Sequence, residues 1–114
     1  MRRESKKFLF DIDEACRAVR DFTKGKTFED YRRDLMLRSA VERQFEIIGE
    51  ALNRLHHVDP HTAEQIPEFQ RIIAFRNILI HGYAAIQNDT VWGVVEGNLP
   101  ALADRVGRLL SEPD

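Results

Sequence analysis

Apolar residues recur at helical spacing along most of the chain, with charged residues between them. A helix that buries one face shows this pattern, which predicts a first helix ending near Lys24-Gly25-Lys26 and a longest helix from about Asp34 to His57. The apolar stripe of the first helix is Phe8, Ile12, Ala15, Val19 and Phe22, and that of the longest is Leu37, Val41, Phe45, Ile48, Leu52 and Leu55.

Residues that favour helix starts mark the breaks between these stretches. Thr27 with Asp30 three positions later is a variant of the capping box and predicts a short helical turn. Asp59 followed by Pro60 predicts a second short helix, because aspartate caps well and proline fits the first helical position. Ile66-Pro67 repeats the device just before the central helix.

A final helix is predicted from Asn88-Asp89-Thr90, which are good cap residues, to Leu110. Pro100 interrupts it and must kink or restart it, because proline lacks a backbone donor and clashes with the preceding turn. The apolar side consists of Val91, Val94 or Val95, Leu99, Leu102, Val106 and Leu109. With no convincing strand pattern, the expected fold class is all-α, a bundle of four to five helices with a kinked last helix in one domain, residues 1–114.

Composition excludes several classes of protein. The single cysteine, Cys16, rules out a disulfide framework within the chain and suits a reducing cytosol, so a cytoplasmic location is expected. A formal net charge of −2 excludes coating of nucleic acid by bulk charge, so any RNA site must be local. Arg76 and His81 interrupt the best apolar stretch, so no membrane span is expected.

That stretch nevertheless carries four side chains suited to chemistry, namely Arg76, Asn77, His81 and Tyr83. Asn77 and His81 are four residues apart and lie on one side of a helix, whereas Arg76 and His81, five apart, do not share a face. Arg76 can still reach His81 if the helix ends there, which Gly82 favours because glycine commonly closes helices in the left-handed conformation.

Each of these side chains also has a purely structural interpretation. A histidine near a helix end can simply complement the helix dipole, an Arg-Asn pair is usually on the surface, and a tyrosine can cover the core. Arg76 and Asn77 stand inside an apolar run, however, where charged and amide groups are desolvated unless they line a cleft. This favours a functional cleft.

Two further groups of polar residues remain open to interpretation. Glu42, Glu46 and Glu50 form an acidic stripe that either faces water or places Glu46 and Glu50 where they hold Arg76. His56, His57 and His61 suggest a metal site, but two are adjacent and the set lacks zinc-site spacing, so no metal site is predicted.

The stretch R-N-I-L-I-H-G-Y, from Arg76 to Tyr83, resembles the signature of HEPN-domain ribonucleases, and most closely that of the HepT-like toxins of prokaryotic toxin–antitoxin pairs. Two other stretches support the resemblance. A-V-E-R-Q-F-E-I-I-G-E-A, Ala40 to Ala51, is similar to the second-helix motif of the family, and V-W-G-V-V-E-G-N-L-P, Val91 to Pro100, to its last helix. Nearly the whole chain is covered.

The resemblance implies a HEPN-type bundle that acts as a metal-independent endoribonuclease without cofactor. It implies a homodimer in which Arg76 and His81 of both subunits line one cleft and cleave an RNA substrate. Asn77 and Tyr83 would bind or orient the substrate. The implied partner is a cognate MntA-like nucleotidyltransferase, the antitoxin, which would neutralise the toxin by AMPylation of Tyr83.

The residue types present suit this chemistry. Cleavage of RNA without metal needs a base, an acid and a cation for the charge that develops on the phosphorus. A histidine titrates near neutrality, so His81 can transfer protons, and Arg76 stays charged and can bind a phosphate. Two other functions remain as alternatives: a non-catalytic helical module that partners a small nucleotidyltransferase, and a purely structural helical dimer.

Overall fold

The computed structural model describes residues 1–82 and 87–113, and the regular elements in that part are helices. They are α1 (Arg3–Thr23), α2 (Phe28–Arg33), α3 (Leu35–Val58), α4 (Pro60–Glu64), α5 (Phe69–His81), α6 (Asn88–Gly97) and α7 (Leu99–Ser111). The predicted all-α fold is therefore confirmed. None of these helices combines the length and the hydrophobicity needed to cross a membrane.

Helix α3 is the centre of the fold and contacts α1, α2, α4 and α5, while α7 lies against α1. All six residues of its predicted apolar stripe are buried, so that prediction is confirmed. On α1 the buried residues include Ile12, Ala15 and Val19, as predicted. Phe22 is 38% exposed in the last turn of α1, so its assignment to the buried stripe is wrong.

Local hydrogen bonds fix where the helices begin. The predicted capping box is present: the backbone N–H of Asp30 donates to Thr27, and that of Thr27 donates to the Asp30 carboxylate. Asp59 caps α4 by accepting from the backbone N–H of Thr62 at 3.2 Å, and Pro60 is the first residue of that helix. Asp59 also accepts from the buried Ser5 hydroxyl at 2.7 Å, which ties α1 to the end of α3.

At two helix starts the expected cap is not formed, although α6 begins at Asn88, as predicted. Pro67 lies outside α5, and Glu68 precedes the helix in a left-handed conformation with φ 58°, without capping it through its side chain. Gln87 precedes α6, so the predicted cap residues lie within the helix. The break at Pro100 is confirmed as a restart: α6 ends at Gly97, and the proline is the second residue of α7.

Helices α2 and α6 meet through an aromatic pair. The rings of Tyr31 and Trp92 lie 5.3 Å apart between centroids, and Tyr31 is fully buried. Among the described residues the Tyr31 hydroxyl has no hydrogen-bond partner, and burial raises the pKa of this phenol. The ring of Tyr31 therefore contributes to the packing of α2 against α6.

Helices α3 and α5 approach each other most closely at Gly49. A Cβ atom added at Gly49 would lie 2.2 Å from Cβ and 2.6 Å from Cγ of Arg76, and 3.5 Å from the carbonyl oxygen of Ile72. Real Cβ atoms do not come that near to another carbon, so the crossing requires glycine. Gly49 thereby places the stem of Arg76 directly against α3.

Helix α5 keeps a large exposed surface because α3 is its main helix neighbour. The molecule measures 44 × 30 × 19 Å, and the smallest dimension is about two helix diameters. A body of two helix layers cannot cover a helix on every side. Ile72 and Leu79 are the buried residues of α5, whereas Ile78 and Ile80 are 59% and 42% exposed.

Replacement of Gly49 by alanine should separate α3 from α5. We expect Gly49→Ala to lower the free energy of unfolding by about 1–3 kcal/mol, the usual cost of overpacking a close contact. Gly107→Ala is the matched control, because Gly107 also lies within a helix and a Cβ added there would have no atom of the described chain within 4 Å. The control should raise stability by about 0.5–1 kcal/mol through helix propensity.

Denaturant unfolding followed by circular dichroism measures both variants. If Gly49→Ala is as stable as the Gly107→Ala control, the close approach is not a constraint on the fold.

Candidate functional site

Helix α5 ends at the histidine that the sequence analysis singles out as a proton carrier. Its last residue is His81, and Gly82 follows with φ 60°, in the left-handed region. The Gly82 N–H donates to the carbonyl of Ile78 at 3.2 Å, which closes the final turn. The predicted helix end is confirmed. Asn77 and His81 are both exposed and, being four residues apart, lie on the same outer side.

Arg76 lies on a different side of α5 and faces α3. Its side chain is 22% exposed, and its Nη2 donates to Oε2 of Glu50 in an ion pair. Its Nη1 donates to Oδ1 of Asn77 at 2.8 Å. The guanidinium is thus held at two nitrogens, once by the neighbouring helix and once by the next residue of its own helix.

The expected contact between Arg76 and His81 is not found among the hydrogen bonds and ion pairs of Arg76 in the described chain. The guanidinium turns to Glu50 because Gly49 seats the arginine stem against α3. The two side chains are therefore presented separately, one half-buried between helices and the other exposed at the helix end.

The glutamates of the acidic stripe on α3 differ in whether they contact Arg76. Glu50 holds Arg76, as expected if the stripe faces the cleft. Glu46 instead pairs with Arg43 on its own helix at 3.4 Å, so for Glu46 the alternative of a contact with Arg76 is not observed. The difference of one helical turn decides which carboxylate reaches α5.

Glu50 binds a second arginine through its other oxygen. Arg54, one turn later on α3, donates from Nε to Oε1 at 2.9 Å. The hydrogen bond from Arg54 and the positive charge of Arg76 hold the pKa of the Glu50 carboxyl below its ordinary value, although partial burial opposes them. Glu50 therefore stays ionised at neutral pH, and the cluster of two arginines and one glutamate carries a net charge of +1.

A groove between α1 and α3 adjoins this cluster and has a volume of about 210 Å³. Its charged lining is balanced, with three basic residues and three acidic ones. The basic residues are Lys7, Arg43 and Arg54, and the acidic ones are Asp11, Glu46 and Glu50. The groove by itself offers no excess positive charge, so the added charge at this place comes from Arg76.

The hydrogen bond from Arg76 also fixes the amide of Asn77. A guanidinium can only donate, so the Asn77 atom that faces it must be the oxygen. The amide nitrogen then points away from Arg76 with its two N–H groups. Asn77 is exposed, so it is not desolvated within the apolar run, and its amide N–H groups face solvent on the outer side of α5.

Tyr83 lies outside the described residues. The three clustered histidines are distributed over the end of α3 and over α4. His57 lies 2.8 Å through Nδ1 from the carbonyl of Asn53, and the ring of His56 packs 5.0 Å from that of Phe69. No group of three or more residues able to hold a metal ion occurs in the described part of the chain.

The contacts of Gly49 and Arg54 in this site were not predicted from the sequence. An isolated glycine within a strong helical pattern often has a packing reason, and that signal was present at Gly49. Arg54 follows Glu50 at the i, i+4 spacing that favours an ion pair on a helix. Neither signal identifies the partner on another helix.

Comparison with known proteins adds a family match. Residues 12–109 match the protein family described as "Ribonuclease HepT-like". That range includes the α3 and α5 residues of the site. No solved structure matches the chain significantly.

Several curated proteins are similar over nearly the whole chain. "Putative RNase MJ1380" of Methanocaldococcus jannaschii is 33% identical over 92% of this chain and 95% of its own length. "Probable ribonuclease HepT" of Thermococcus cleftensis is 32% identical over 96% of this chain and 98% of its own length. "Gamma-glutamylcyclotransferase and putative RNase MJ0434" of Methanocaldococcus jannaschii is 32% identical over the full chain, which spans about half of that protein.

Proposed function

The chain belongs to the HepT-like ribonuclease family, and we propose that it is a metal-independent endoribonuclease that acts as the toxin of a toxin–antitoxin pair. The observation that carries this proposal is the arrangement on α5. Arg76 is held in a fixed direction at two nitrogens, while Asn77 and His81 are exposed on the same helix. These side chains can supply a cation, a hydrogen-bond donor and a proton carrier for metal-free cleavage of RNA.

In the proposed reaction a base removes the proton of a ribose 2′-OH, and the resulting oxygen attacks the adjacent phosphorus. An acid protonates the 5′-oxygen that leaves. His81 is the proposed proton carrier, because an imidazole exchanges protons near neutral pH and this one is exposed at a helix end. Arg76 is the proposed cation for the charge on the phosphate oxygens, and Asn77 the donor that orients them.

One copy of the motif supplies one histidine, whereas the reaction needs both a base and an acid. A second copy of the chain would provide the second imidazole, so we propose a homodimer whose interface includes Arg76 to Tyr83. The exposed apolar side chains of Ile78 and Ile80 support this proposal, because they stand beside polar residues on a helix with one main neighbour.

Cleavage of total bacterial RNA in the presence of EDTA tests the activity. We expect the wild type to cleave under chelation, and Arg76→Ala and His81→Ala each to lose about 10²-fold or more in rate. Arg71→Ala and His61→Ala are matched controls, since Arg71 lies on α5 in an exposed ion pair with Glu68 and His61 is exposed on α4. Both should keep full activity.

Circular dichroism should show that the two inactive variants retain their helices. Full activity in either would remove that residue from the mechanism. A wild type that cleaves nothing would favour the non-catalytic binding module.

The dimer is tested by light scattering at micromolar concentrations. We expect the wild type to be dimeric and Ile78→Lys to be monomeric, because a lysine on each copy would place like charges in an apolar interface. Met36→Lys is the matched control, as Met36 is an apolar residue that is 81% exposed and lies at the start of α3 rather than on α5. A monomeric wild type, or dissociation by the control alone, would contradict the proposed interface.

Regulation is proposed to act at Tyr83, the tyrosine of the family signature. An adenylyl group there would add negative charge and a bulky base two positions after His81, where it would repel RNA. We expect intact-mass spectrometry to show adenylyl addition to the wild type after co-expression with a cognate MntA-like nucleotidyltransferase. Tyr83→Phe should show no addition and should retain some ribonuclease activity under the same conditions.

Tyr31 provides the matched control, because it is the only other tyrosine of the chain and is fully buried. Tyr31→Phe should still be modified, and it removes a hydroxyl that makes no hydrogen bond to any residue that the structure describes. Equal modification of the wild type and Tyr83→Phe, or none of the wild type, would exclude Tyr83 as the site.

A further inference from the structure

We propose that Glu50 is a positioning residue for the reaction, holding the Arg76 guanidinium in the direction of the RNA phosphate, and that Arg54 keeps the site cationic. This inference rests on the proposed function. It assigns roles to two α3 residues whose contacts with α5 and with each other are part of the structure. Neither residue is required to touch the reacting atoms.

The geometry of the carboxylate supports the role of Glu50. Its two oxygens are used separately, Oε1 by Arg54 and Oε2 by Arg76. A carboxylate can accept at both oxygens, whereas an amide has one accepting oxygen and one donating nitrogen. A glutamine at this position would satisfy only one of the two arginines and would face the other with N–H groups.

The hydrogen bond between Glu50 and Arg76 affects how Arg76 could bind a phosphate. An arginine has five N–H groups, and the two hydrogen bonds of Arg76 leave three for a ligand. Because the side chain already has a set direction, binding of a phosphate would cost little further rotamer freedom. Loss of the Glu50 carboxylate would release this long side chain, and small displacements of a catalytic group reduce rates steeply.

Charge explains why a second arginine is useful. Glu50 and Arg76 alone would form a neutral pair, with little attraction for RNA. Arg54 raises the sum for the three residues to +1. Its side chain is 64% exposed, so its contribution should be to the affinity for RNA rather than to the direction of Arg76.

The test measures kcat and KM for a labelled RNA oligonucleotide containing a site that the wild type cuts in total bacterial RNA. We expect Glu50→Gln to lower kcat by about tenfold or more while KM changes less than kcat. Glu50→Asp keeps the charge and should lose less than Glu50→Gln. Glu46→Gln is the matched control: Glu46 lies one turn earlier on α3, pairs with Arg43, and should leave both constants unchanged.

For a change at Arg54 we expect the larger effect on KM and the smaller one on kcat. Arg54→Gln should raise KM more than it lowers kcat, because it removes positive charge without removing the hydrogen bond between Glu50 and Arg76. Arg43→Gln removes the same charge from a neighbouring ion pair on α3 and should change KM less.

The direction of Arg76 is also measurable without activity. In nuclear magnetic resonance spectra of the arginine side chains, Glu50→Gln should speed rotation of the Arg76 guanidinium, and Glu46→Gln should not. The Arg76 signal is assigned by its loss in Arg76→Lys. An unchanged rotation in Glu50→Gln would overturn the positioning role, whatever the outcome of the cleavage assays.

The failure of this inference is distinguishable from failure of the proposed function. Loss of activity in Arg76→Ala together with full activity in Glu50→Gln would overturn the role of Glu50 alone. Full activity in Arg76→Ala would instead remove the reaction to which that role refers. Equal losses in Glu50→Gln and Glu46→Gln, or a larger loss in Glu50→Asp than in Glu50→Gln, would also overturn the inference.

Discussion

The close approach of α3 and α5 at Gly49 is the constraint on which the site depends. Helix α5 has α3 as its main neighbour, so this one crossing decides how α5 sits on the protein. The missing side chain of Gly49 leaves room for the stem of Arg76, and the next residue along α3 is the glutamate that binds its guanidinium. The contact that positions the helix also positions the charge.

The ion pair of Arg76 is less exposed to solvent than the surface ion pair between Arg71 and Glu68, so its loss would cost more free energy. Arg71 and Glu68 pair with side chains 83% and 45% exposed, and such pairs contribute little to stability. Arg76 is 22% exposed, so it has lost more hydration, and an unpaired charge there would be costly. Glu50 and Asn77 offset that cost through hydrogen bonds, and they do so at the nitrogens that fix the direction of the guanidinium.

Most of the fold follows from short-range patterns in the sequence. The stripe of α3, the capping box at Thr27, the cap at Asp59 and the close of α5 at Gly82 each depend on residues within a few positions of one another. Pro67 does not take the first position of α5, because Glu68 follows it in a left-handed conformation before the helix begins. A cap predicted from residue type fails where the backbone enters the helix in another way.

The candidate site was less accessible to sequence reasoning, because its contacts join residues far apart in the chain. Arg76 and Glu50 are separated by 26 positions, and the charge pattern on α3 did not distinguish Glu50 from Glu46. The apolar run around Asn77 suggested burial, yet Ile78 and Ile80 are exposed because α5 packs mainly on one helix. The apolar content of a helix alone does not tell which of its side chains are covered by the same chain.

That distinction bears on the chemistry of the proposed dimer. A single chain presents Arg76 from between two helices and His81 from an exposed helix end, with the side of α5 open to water. In water the attraction between a guanidinium and a phosphate is weak, and it strengthens as solvent is excluded. A second copy over Ile78 and Ile80 would exclude solvent from the face that carries Asn77 and His81. In the proposed dimer, the same association would therefore supply the second imidazole. It would also lower the dielectric constant around Arg76 of both subunits.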